Sequence, residues 1–290
     1  MNLNSGVVCK MPEISYGDII TSALKKDAFS KRSLPMIGLS ILGALIIIPF
    51  WFFFMGDLIE NFSVITISPQ IMLLELLQWF VLIFFLIIIY SILELFLGGI
   101  IIKQAGEDVR GEQVSLMDAL AFTKGKVLSL VGAALLIIFV SVFFSLVSIV
   151  PYIGPFLNFI ISILIALAVF VTYPYIILGE SGAIDAISAS IRHFMDNPFQ
   201  VFIMRILSIV VGLIMMFIFA VPFVIAIFFF ISQTIVLSPP DILSHVMDSM
   251  PIFLIPILIL AVGSALVTVF QYGVKARYYA EAIRGTNQEK

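Results

Sequence analysis

The sequence predicts an all-α, polytopic membrane protein of six transmembrane helices. Three observations predict it. The 290 residues are 62% hydrophobic and 11% charged, with mean hydropathy +1.20. No soluble domain of that length needs so much apolar surface. Six continuous apolar stretches, at 34–56, 71–102, 127–150, 155–178, 199–236 and 251–274, each suffice to cross a ~30 Å hydrocarbon core as a helix of about 20 residues. All fifteen Lys and Arg then fall on one side of a single topology. Lys10, Lys25, Lys26, Lys31 and Arg32 precede span 1. Lys103, Arg110, Lys124 and Lys126 lie between spans 2 and 3. Arg192 lies between spans 4 and 5, with Arg205 just inside span 5. Lys275, Arg277, Arg284 and Lys290 follow span 6. Basic loops stay on the cytoplasmic side, so both termini are expected there.

The chain reads as one integral membrane domain over 1–290. Residues 1–33 are polar, carry charges of both signs and lack a short apolar segment with a small-residue cleavage site, so no cleaved signal peptide is expected. Hairpin 1 occupies 34–102. Residues 103–178 hold a lead-in helix and hairpin 2, residues 179–274 a lead-in helix and hairpin 3, and 275–290 a cytoplasmic tail. Spans 2 and 5 exceed the needed length and are expected to tilt, protrude or break. Asn197-Pro198 marks a break before span 5, because the residue before proline disfavours helix.

A weak internal repeat precedes each hairpin. Ser15-Tyr16-Gly17-Asp18, Ser115-Leu116-Met117-Asp118 and Gly182-Ala183-Ile184-Asp185 each lead to a small residue and a base: Ala23 and Lys25, Thr123 and Lys124, Ser190 and Arg192. The first two read as capping boxes, with Asp18 and Asp118 three residues after a serine. In the third, Ile184, Ile187, Ile191 and Phe194 recur at helical spacing, while Asp185, Ser188 and Arg192 take another side. The expectation is three amphipathic helices at the cytoplasmic interface, covering 15–30, 115–124 and 182–195. Short helix, span out and span back, three times in one orientation, make three parallel repeats.

The segment Glu180-Ser181-Gly182-Ala183-Ile184-Asp185-Ala186-Ile187-Ser188-Ala189-Ser190, continuing to Asn197, resembles the glycerophosphodiester phosphodiesterase membrane-domain family and related prokaryotic multi-span proteins. It is echoed faintly from Gly111 to Lys126. In some members such a domain precedes a soluble catalytic barrel. No barrel accompanies it here, so the resemblance implies a membrane module and not the enzymatic activity.

Catalytic signatures are missing from the sequence. There is no His-Glu-x-x-His, no Gly-x-Ser-x-Gly and no phosphate-binding Gly-rich loop. His193 and His245 fall on opposite faces of the predicted topology and cannot share a metal. Neither cofactor nor metal is expected. Cys9 is the single cysteine, which rules out an intramolecular disulfide. Ionisable residues within spans are costly and count as functional candidates. Glu75 lies near the outer end of span 2. Glu94 and Arg205 lie at similar depth on spans 2 and 5 and are expected to pair, directly or through a water. Pro49, Pro174, Pro222 and Pro256 interrupt spans, and Gly38, Ser129, Ala133, Gly212, Ala261 and Ala265 are expected at close helix contacts.

Two function classes follow. One is a non-catalytic membrane module that binds or organises lipids or partner proteins. The other is a small transporter or channel with a cytoplasm-side site near Glu94 and Arg205. An intramembrane enzyme is a third, weaker class. The partners implied are membrane lipids, with a protein partner or a second copy of the chain beside them. A formal charge of −3 gives no reason to expect nucleic acid. The location expected is a prokaryotic cell membrane.

Overall fold

Lipid offers no hydrogen bonds, so an apolar run within it satisfies its own backbone as helix or closed barrel. Here every long run is helix. The computed structural model describes the backbone of residues 14–60, 69–234 and 239–287, and the side chains of 14–50, 77–233 and 251–282. No strand occurs among the described residues. The elements are α1 (Tyr16–Ser22, continued by a π-helical turn Ala23–Ala28), α2 (Leu34–Glu60), α3 (Pro69–Arg110), α4 (Leu116–Lys124), α5 (Val127–Ser145), α6 (Ile153–Ala168), α7 (Thr172–Ile177), α8 (Ala183–Asp196), α9 (Pro198–Thr234) and α10 (Pro239–Asn287). Six helical stretches, beginning at Lys31, Leu77, Val127, Ile153, Pro198 and Pro251, are long and apolar enough to cross a membrane. The side chains of Cys9, Trp51, Glu75, Asp241, His245 and Asp248 lie outside the described residues.

The overlong spans do not break. The 42 residues of α3 run unbroken for about 63 Å, twice the hydrocarbon thickness. Pro222 sits inside α9, and Pro251 and Pro256 inside α10, without ending either helix. Span 4 breaks instead. A turn at 169–171 separates α6 from α7, with Phe170 N–H donating to Leu167 O and Thr172 N–H to Val169 O. Pro174 accounts for the position. It has no N–H for the carbonyl of Phe170, and in a continuous helix its ring meets that carbonyl. The freed carbonyl of Ala168 accepts from Ser190 Oγ at 2.7 Å, a bond from α8 that makes the break affordable in an apolar setting.

Among the described residues, the buried core gathers at the end of the bundle that carries the bases. It includes Ile100–Ile102 and Ala105 of α3, Phe170 to Leu178 around α7, and Val269 to Ala280 of α10. Residues 275–282, which the sequence assigned to a tail, continue α10, with Ala276, Arg277, Tyr278, Tyr279 and Ala280 buried. Toward the opposite end, side chains such as Phe80, Phe84, Phe85 and Ile87 are exposed, as lipid-facing residues are.

Glycines set the close approaches inside this core. A Cβ on Gly98 would run into the Tyr272 ring, one on Gly263 into Phe219 and one on Gly106 into Leu178. Of the small residues expected at contacts, Ala133 and Ala265 are buried and Gly212 meets Gln271 and Val267. Gly38 does not fit, since a Cβ there meets nothing within 4 Å.

The three lead-in helices exist, but the buried face of the third differs from the expected one. Each buries two residues four apart: Ile19 and Ala23, Ala119 and Thr123, Ala186 and Ser190. In α8 the small residues face the bundle. Ile184 is 73% exposed and Ile191 38%. Tight packing against α5 and α6 admits Ala and Ser where an isoleucine does not fit.

Candidate functional site

Two polar constellations and one cavity occupy the described bundle. The first constellation closes the basic end. Asp27, at the end of the π-helical turn, is fully buried. Its carboxylate accepts from Arg277 Nε at 2.8 Å and Nη2 at 3.0 Å, and from Arg32 Nη1 at 2.7 Å. Arg277 Nη2 also donates to Asp108 Oδ2 at 2.9 Å. Lys26 reaches the same oxygen at 3.4 Å. Two aspartates and three bases thus tie the N-terminal segment to α3 and α10. Gly273 permits this, because a Cβ there lies 2.6 Å from Asp27 Oδ2. Lys103 and Arg110 meanwhile share Glu107 at 2.7 and 3.3 Å. These charges are mutually satisfied and read as structural.

The second constellation lies deeper and is not satisfied. Glu94 of α3, Arg205 of α9 and Lys275 of α10 are each half-buried. The expected direct pairing of Glu94 with Arg205 does not form, since no ion pair among the described residues joins them. The helix geometry gives the reason. Arg205 lies near the level of Lys275, because Ser208 O accepts from Gln271 Nε2 at 2.8 Å and so aligns α9 with α10. Side chains lean toward the helix N-terminus, which carries Arg205 toward the basic end. Its guanidinium stands 5.8 Å from the Phe170 ring centroid, and its Nε is buried without a hydrogen-bond partner. Glu94 instead lies within electrostatic range of Lys275. Lys275 Nζ sits over the rings of Tyr272 at 5.4 Å and Tyr173 at 5.9 Å.

The cavity, about 790 Å³, lies between α2, α3, α9 and α10. Its wall is almost wholly apolar, with Leu39, Ile47, Ile87, Leu93, Met216 and Ile257 among the lining residues. The polar residues on it are Ser40, Tyr90 and Ser264, and the hydroxyls of Ser40 and Tyr90 lie 3.3 Å apart.

The other sequence candidates do not converge. Ser15 Oγ donates to Asp18 Oδ2 at 2.7 Å, and Ser115 Oγ to Asp118 Oδ2 at 2.6 Å. Asp118 N–H donates back to Ser115 Oγ at 3.2 Å, which completes that cap. Asp185 sits in the first turn of α8. Arg192 is exposed and donates to Ser188 Oγ at 3.5 Å. All four residues serve helix ends or surfaces. His193 is half-buried, with Nε2 3.2 Å from the Tyr278 hydroxyl. Its proximity to Asp196 favours the charged ring, but burial outweighs this and lowers its pKa below the ordinary histidine value.

Sequence reasoning missed Lys275 because it lies one residue past the apolar run. The signal was present. Ser264, Thr268, Gln271 and Lys275 follow at steps of four, three and four, which places them on one face of α10. Neither curated proteins nor solved structures yield a match to the chain. A family model does match, over residues 36–282, and with that span covering most of the sequence the chain belongs to the family described as a domain of unknown function, DUF7847.

Proposed function

We propose that the chain is a non-catalytic integral membrane module that binds or organises membrane lipid. The observation that supports this is the apolar cavity beside the unpaired interior charges. Ligand sites are typically concave and mostly apolar, with a few placed polar groups, and span roughly 300–1,000 Å³. The 790 Å³ cavity fits that description, and its Leu, Ile and Phe walls suit an acyl chain. The short lead-in helices fit a role among headgroups. Leu116, Met117 and Leu120 of α4, and Ile184, Ile191 and Met195 of α8, are exposed apolar residues beside bases, the composition of an interfacial helix. The matching burial of two residues four apart in each lead-in helix favours three parallel repeats. We place the bundle in a prokaryotic cell membrane with the basic end and both termini cytoplasmic. The resemblance to phosphodiesterase membrane domains is in keeping with a module that acts on lipid without hydrolysing it.

Substituting Ala44 and Ala261, both on the cavity wall, with Trp fills the space. Phospholipid retained per protein after detergent purification, read by mass spectrometry, is expected to fall while helical content persists. Unchanged retention in folded variants sinks the reading. A second reading, a small transporter or channel, draws on the interior charges of Glu94, Arg205 and Lys275. It requires that Glu94→Gln abolish solute flux in proteoliposomes while leaving thermal stability near wild type.

A further inference from the structure

The bases at the interior of the bundle are handled in two ways. Arg277 is buried and bound by two carboxylates. Lys275, two residues earlier on the same helix, has no carboxylate within ion-pair distance among the described residues, and Arg205 has none either. The bond from Gln271 Nε2 to Ser208 O sets these two cations at neighbouring levels on the paired helices α9 and α10. With Glu94 ionised, one positive charge is uncompensated; with Glu94 protonated, two are. A half-buried cation pair is costly in an apolar setting, and a bound anion relieves the cost. The buried Arg205 Nε, which has no partner, adds a free donor.

Helix geometry connects this charge to the cavity. Ser264 lines the cavity, and Lys275 lies eleven residues further along α10. Eleven residues are about three turns, so both share one face, roughly 16 Å apart along the axis. Met216 and Arg205 stand in the same relation on α9, and both faces lead from the cavity toward the basic end. On α3, Tyr90 lines the cavity and Glu94 follows one turn later.

We propose that Lys275 and Arg205 form an oxyanion site for a phosphate group of net negative charge, such as the phosphodiester of a lipid whose headgroup adds no cation, with Glu94 setting the charge so that one negative group balances it. Guanidinium and ammonium groups are the side chains that bind phosphate oxygens, the first as a fork and the second as a point charge. The tyrosine rings of Tyr173 and Tyr272 wall the site on the Lys275 side. A phospholipid supplies such a group with its acyl chains directed into the cavity, whereas soluble phosphate supplies it alone. This deepens the lipid reading by naming the headgroup chemistry.

The test uses the full-length chain in detergent. Thermal stability is read with mixed micelles of phosphatidylglycerol, with phosphatidylcholine micelles, and with inorganic phosphate. Phosphatidylglycerol is expected to raise Tm more than phosphatidylcholine, and Lys275→Gln with Arg205→Gln to remove that difference. Lys26→Gln, at an exposed base, is the control that keeps it. Lys275→Arg retains the charge and is expected to retain the preference. An equal rise with inorganic phosphate keeps the oxyanion site but assigns it to a soluble ligand. No rise with any anion, or an equal rise in the double variant, overturns the proposal. If the double variant does not fold, phosphatidylglycerol retained by the wild type from an equimolar lipid mixture decides. Retention without headgroup preference overturns the anion site and leaves the lipid-binding cavity standing.

Discussion

Asp27 shows how much of the basic end depends on one side chain. Its two guanidinium partners, Arg277 and Arg32, converge on a carboxylate that water does not reach. Removing one partner of a buried pair strands the other charge. Asp27→Asn is therefore expected to cost about 3–5 kcal/mol, and Asp27→Leu with Arg277→Met distinctly less. Unfolding midpoints in mild detergent measure both. His193 makes the complementary case in pH. Burial depresses its pKa in the fold, so the unfolded chain binds the proton more readily. Stability is then expected to be full above about pH 6.5 and to fall as pH drops from there toward the depressed value. His193→Gln is expected to flatten that slope in thermal melts between pH 7 and 5. Asp27 did not stand out in the sequence, and the burial of His193 was not legible there. Asp27 looks like one acid among flanking lysines, and its partner lies 250 positions away. Glu94 and Arg205 did stand out as charges in apolar runs, but their pairing depended on helix alignment, which hydropathy does not encode.

Among the elements, the helices were legible and their ends were not. Continuous apolar runs require helix in lipid, so span positions followed from composition alone. The breaks required tertiary knowledge. Pro222, Pro251 and Pro256 pass through long helices, while Pro174 coincides with an interruption. The difference is Ser190, which supplies the freed Ala168 carbonyl with a donor from α8. Ser190→Ala, which fits the same space without the hydroxyl, leaves that carbonyl unsatisfied. A loss of about 1–3 kcal/mol is expected, against little change for Ser188→Ala at an exposed site of the same helix. Chemical denaturation followed by helical signal separates the two. The lead-in helices taught a related lesson. Their position was readable from the Asp-led pattern, yet in α8 Ile184 and Ile191 lie outside, Ile187 and Phe194 pack only partly against the core, and Ala186 and Ser190 lie inside. Apolar periodicity finds the apolar face, and in a membrane protein that face need not be the one turned to the bundle.

At the scale of the whole molecule, orientation is the testable consequence of charge segregation. The connections after spans 1, 3 and 5 hold no Lys or Arg. Single cysteines at Ser63 and Ser244, introduced with Cys9 removed, are expected to react with an impermeant reagent added outside intact cells. A cysteine at Gln113 is expected to react only after permeabilisation. The reverse pattern inverts the topology. The bundle's asymmetry was not readable from hydropathy, because both halves of each span are equally apolar. It arises where α3 and α10 outrun the hydrocarbon and the short helices fold beneath them.

The clasp of Asp27 by Arg277 also has a meaning in time. A ribosome adds about 5–20 residues per second, so roughly 12–50 s separate the two residues during synthesis. Throughout that interval Asp27 has Arg32 within reach but not its main partner. The segment that holds Asp27 is thus sealed only when α10 arrives. A chain stalled or cut short of position 277 leaves the Asp27 carboxylate without the guanidinium that binds it through two nitrogens.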